Sequence, residues 1–80
     1  MFINKAKDRK NNLCGVKIAK KRKELGISQR ELADRLQLIG LDVDKNAIQR
    51  IECGKRFVTD IELKALSETL KITVSDLLSL

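Results

Sequence analysis

Lys45, Asn46, Gln49 and Arg50 are the residues whose types and spacing could do specific chemistry. Asn can make two hydrogen bonds to an adenine edge, and Lys or Arg can bond the paired acceptors of guanine. If residues 45–53 are helical, at about 100° per residue these four side chains lie within about 140° of one another. Ala47, Ile48 and Ile51 then fill a separate apolar arc, so one edge is anchored and the other is free to meet a ligand. Two readings fit such a helix. It is either an ordinary amphipathic helix with a solvated face, or one that reads base edges in duplex DNA, with the short Asn46 near the helix start where approach is closest.

The surrounding segments must hold that helix in place. Asp44 is suited to cap its start, and Gly54 to end it. Upstream, Ser28-Gln29-Arg30-Glu31 has the form of a capping box and opens a helix that buries Leu32, Ala33 and Leu36. Two short helices in this order are the arrangement that presents a helix to the major groove. A first helix over about 14–25 places Ile18, Arg22 and Leu25 on one face, flanked by Val16 and Ala19, and Gly26 follows its end. The connection over residues 37–43 breaks at Gly40, with Leu38, Ile39 and Leu41 expected against the core. Thr59-Asp60-Ile61-Glu62 is a second capping box, opening a fourth helix that runs to about Leu70. Thr73 or Ser75 caps a short fifth helix ending near Leu80. At least two of Val74, Leu77, Leu78 and Leu80 are expected in the core, and Phe57 is expected to plug it. No strand-like alternation is sustained, so the expectation is an all-α fold of five short helices.

A chain of 80 residues makes one small domain. Its net charge of +6 is uneven: residues 1–56 carry 15 Lys/Arg against 7 Asp/Glu, and residues 57–80 carry 2 against 4. A polyanion facing the basic part would explain this, as would a merely basic soluble protein. Residues 1–12 read as a basic, flexible N-terminal arm, solvated or touching the DNA backbone, ahead of a domain over 13–80. Phe2 and Phe57 are the only aromatics, which argues against base-stacking platforms for single strands. Cys14 and Cys53 lack metal-clip spacing and the chain has no His, so neither a metal nor a cofactor is expected, and the location expected is the cytoplasm. No apolar run approaches a membrane span. The chain has no nucleophile beside a base and no phosphate-cradling glycine loop, so no enzyme is expected. Glu62 and Glu68 read as solvated surface.

Residues 16–78 resemble the XRE/Cro-type helix-turn-helix domain shared by phage repressors and many bacterial regulators. The resemblance rests on Arg22, Leu25-Gly26, Ser28-Gln29, Leu32-Ala33, Ile48, Ile51-Glu52, Gly54-Lys55 and the Leu66-to-Leu78 tail. It implies a five-helix, lambda-repressor-like DNA-binding domain that works as a dimer on a two-fold operator. It places Lys45, Asn46, Gln49 and Arg50 at the bases and Gln29, Lys55 and Arg56 at phosphates. It also pairs Arg22 with Glu52 as a structural device. Asp44 stands where relatives often carry Ser or Thr; a carboxylate would repel phosphate, so capping is its expected role. Two features depart from the family pattern. The connection from Leu36 to Asp44 is several residues longer, and the loop Phe57-Val58-Thr59 lacks a common proline.

The resulting expectation is a sequence-specific, double-stranded-DNA-binding transcriptional regulator, acting as a repressor and homodimer on an inverted repeat. The alternative is a protein-interaction module of the same fold, such as an antitoxin or accessory regulator with a protein partner, because fold does not fix function.

Overall fold

The computed structural model describes residues 11–79. Five helices follow one another: α1 (Gly15–Glu24), α2 (Gln29–Leu38), α3 (Lys45–Glu52), α4 (Asp60–Leu70) and α5 (Val74–Leu78). Among the described residues there is no strand.

Local sequence explains where the helices begin. Ser28 Oγ accepts the Glu31 N–H at 3.0 Å while Glu31 Oε1 accepts the Ser28 N–H at 2.9 Å, closing the expected capping box. Thr59 and Glu62 repeat the device at α4, at 3.2 and 3.0 Å. Asp44 Oδ1 accepts the Ala47 N–H at 2.8 Å and starts α3. Of the two candidate caps for α5, Thr73 is the one used; its Oγ1 accepts the Asp76 N–H at 3.0 Å. α3 ends in a Schellman turn, with Lys55 N–H on Arg50 O at 2.8 Å and Gly54 N–H on Ile51 O at 3.0 Å. Gly54 takes φ +79° there, a conformation that costs a side-chain-bearing residue free energy.

α2 packs on α3, with α1 and α4 closing around them and α5 lying on α4. Ile18, Leu32, Leu36, Ile48, Ile51, Leu66, Leu70 and Leu77 are fully buried, joined by Cys14, Ile27, Ala33, Val43 and Ala65. At about 1.5–3 kcal/mol for each large side chain removed from water, this aliphatic cluster is the main stabilising term.

Several tertiary details differ from expectation. α2 continues through Leu38, which its helical phase turns away from buried Leu36, leaving Leu38 86% exposed; Ile39 is also exposed. Val43 instead enters the core and Leu41 packs against it. Phe57 is not a core plug, because the loop turns Phe57 outward and packs Val58 against the core. In the tail, Leu77 is buried, Val74 is half-buried and Leu78 is exposed. Leu80, like residues 1–10 of the expected arm, lies outside the described residues.

Candidate nucleic-acid interface

α3 is held from its inner edge. Ile48 and Ile51 are buried and Ala47 packs against the core, while Lys45, Asn46, Gln49 and Arg50 are all exposed. None of these four side chains has a hydrogen-bond or ion-pair partner among the described residues. The structure thus brings the four together on one open surface.

Glu52 fixes the orientation of that surface. Its Oε2 accepts Arg22 Nε at 2.6 Å, and its Oε1 accepts Arg22 Nη2 and Gln29 Nε2, both at 3.0 Å. One carboxylate therefore ties α1 and the start of α2 to the end of α3. Arg22 Nη1 also donates to Ile27 O at 2.9 Å, in the turn between α1 and α2. The hydrogen bonds that it donates to Glu52 hold the Arg22 guanidinium in its charged form more firmly than in water. The side-chain amide of Gln29 is spent on this network. What remains at the first residue of α2 is a backbone N–H without an intrahelical partner, a donor suited to an anion.

The two basic residues after α3 part company. Lys55 is exposed, with no side-chain partner among the described residues. Arg56 instead forms a two-pronged pair with Glu62, Nη1 to Oε1 and Nη2 to Oε2, each 2.9 Å. Glu62 is 9% exposed and is not the solvated acid expected from its place on α4. The Arg56 hydrogen bonds hold its carboxyl below the usual glutamate range, with the Thr59 N–H adding to the effect.

Two further residues enter the site from the expected arm. The Asn11 N–H donates to Gly54 O at 2.7 Å, and its Nδ2 to Lys55 O at 2.9 Å. Asn12 Nδ2 donates to Ile51 O at 3.1 Å and Arg56 O at 2.8 Å. Its Oδ1 accepts the Gly15 N–H at 2.8 Å, a capping contact at the start of α1. An Asn shortly before a helix is a capping signal legible in the sequence; the long-range contacts carry no such signal. Cys53 Sγ is exposed at the end of α3, whereas Cys14 is buried and its thiol is pushed up by desolvation.

A capped α2, a turn, and an α3 with one buried and one open edge define a helix-turn-helix module, a class of DNA-binding transcription regulators. The helix-turn-helix family profile matches residues 18–77, most of the chain, and the chain belongs to that family, in its XRE/Cro-type branch. No curated protein matches in sequence.

Among solved structures, the P22 c2 repressor, in complex with synthetic operator 9T in the presence of Tl+, is 29% identical. The match covers 85% of this chain and 96% of that one at a TM-score of 0.72. The restriction-modification controller protein C.AhdI from Aeromonas hydrophila is 25% identical, covering 79% and 88%, with a TM-score of 0.69. The clp gene regulator ClgR from C. glutamicum shares the fold at 24% identity, covering 84% and 80%, with a TM-score of 0.72. No helix among the described residues is long and apolar enough to cross a membrane.

Proposed function

We propose that the protein is a cytoplasmic, non-enzymatic repressor that binds a specific inverted-repeat operator as a homodimer. The observation carrying this reading is the open edge of α3, where Lys45, Asn46, Gln49 and Arg50 stand exposed above a fully buried Ile48 and Ile51. Asn46 and Arg50 carry the donor geometry for adenine and guanine edges, with Lys45 and Gln49 beside them. Lys55 and the N–H at the start of α2 contact phosphates and set the register. Arg56 is bound two-pronged to Glu62, which offsets its charge and shapes the loop after α3. The P22 c2 repressor, structurally similar over most of its length, is seen on an operator, which supports carrying operator binding over to this chain.

A protein-interaction role is the second reading, favoured by the exposed Leu38 and Ile39 at the lengthened connection. Selection of duplexes from a random pool at near-physiological salt separates the two. Enrichment of an inverted repeat with half-sites about 10–10.5 bp apart is expected for the dimer. Weak, salt-sensitive binding without enrichment would overturn operator recognition by this chain alone.

A further inference from the structure

The backbone around Lys55 is pinned on both sides. Its own N–H is held by Arg50 O at 2.8 Å, the preceding carbonyl, Gly54 O, by the Asn11 N–H at 2.7 Å, and its own carbonyl by Asn11 Nδ2 at 2.9 Å. These bonds fix the two peptide planes that set the direction of the Lys55 side chain. Asn12 extends the restraint in both directions by holding Ile51 O and Arg56 O, while its Oδ1 anchors it to the Gly15 N–H. α1 and α3 meet closely enough that a Cβ on Gly15 would overlap Ile51 O.

The Schellman turn already ends α3, so closing the helix does not by itself require the Asn11–Asn12 strap. What the strap adds is a rigid mount under an exposed ammonium that has no side-chain partner among the described residues. Lysine is ordinarily a flexible point charge, and fixing its base in advance lowers the ordering cost of engaging an anion.

We propose that Asn11 and Asn12 are positioning residues for DNA binding, holding the Lys55 backbone so that its ammonium meets a phosphate beside the groove-facing edge of α3. The proposal rests on the operator-binding reading above. Its test measures affinity against salt concentration on the duplex selected by the unaltered protein. The set comprises Asn11→Ala, Asn12→Ala, Lys55→Ala and the Asn11→Ala/Lys55→Ala double variant, with thermal melting followed in parallel.

Lys55→Ala should weaken all sequences alike and lower the salt slope of the bound dimer by about 1.8, the loss of one phosphate contact in each protomer. Asn11→Ala should bring the slope down towards the same value with the fold intact, and its loss should not add to that of Lys55→Ala. A full slope in Asn11→Ala, with additive losses in the double variant, would show the strap to be a fold element only and overturn the proposal. If Asn12→Ala melts below the assay temperature, Asn11→Ala decides the matter, since it removes a single side-chain bond. Failure of the unaltered protein to enrich any duplex is a separate result, seen before any variant is made. It would overturn operator recognition and this proposal with it.

Discussion

Glu52 shows how much one side chain can organise. It receives three hydrogen bonds from Arg22 and Gln29, and the Arg22 and Glu52 side chains are only 11% and 8% exposed. A pair so buried contributes less net stability than its charges suggest, but removing one partner strands the other. Arg22→Ala should therefore destabilise the domain by about 3–5 kcal/mol, read as a lower melting temperature; unchanged melting would exclude the tie as an orienting device. Asn46 makes no comparable contact and lies on the open edge, so Asn46→Ala should leave melting unchanged while costing about 1–3 kcal/mol of discrimination at one base pair. An intact sequence preference in that variant would place base reading elsewhere. Arg22 and Glu52 were legible through their place in a family pattern and the helical phase of Glu52. The use of the Gln29 amide was not, because it depends on where α2 meets α3.

At the scale of elements, local rules were sufficient for helix starts. Ser28, Asp44 and Thr59 cap the helices expected of them, since a cap needs only a side chain and an N–H two or three residues on. Elements that meet in space were less legible. Arg56 and Glu62 sit six positions apart across a turn, and nothing in their spacing marks a two-pronged pair. The pair has a pH signature. The folded carboxyl of Glu62 titrates below its ordinary value of 4.5, so its stabilisation is complete above that value and is lost as pH falls through the lower folded value. Melting temperature should drop on acidification in that window, and Glu62→Gln should flatten the drop. Equal acid sensitivity in the variant would assign the effect to other carboxylates.

At the scale of the whole molecule, one aliphatic cluster must hold five short helices, of which α5 has only 5 residues. Such a helix is unstable alone and persists through its packing. Leu77, fully buried, is its anchor. Leu77→Ala should cost about 2–5 kcal/mol, measured by denaturant unfolding. A loss near zero would mean that α5 contributes nothing to closure of the core.

Periodicity and capping are properties of neighbours along the chain, so the sequence by itself determined five helices, their order, most of their boundaries and the open edge of α3. Burial and pairing are properties of neighbours in space. For that reason only the tertiary structure decided that Val43 and Val58 turn inward while Leu38, Ile39 and Phe57 face outward. The same is true of Glu62, which takes Arg56, and of the adjacent Asn11 and Asn12, which close onto the far end of α3. An asparagine before a helix announces a cap, but a carbonyl some forty positions later becomes its partner only when the fold brings the two together.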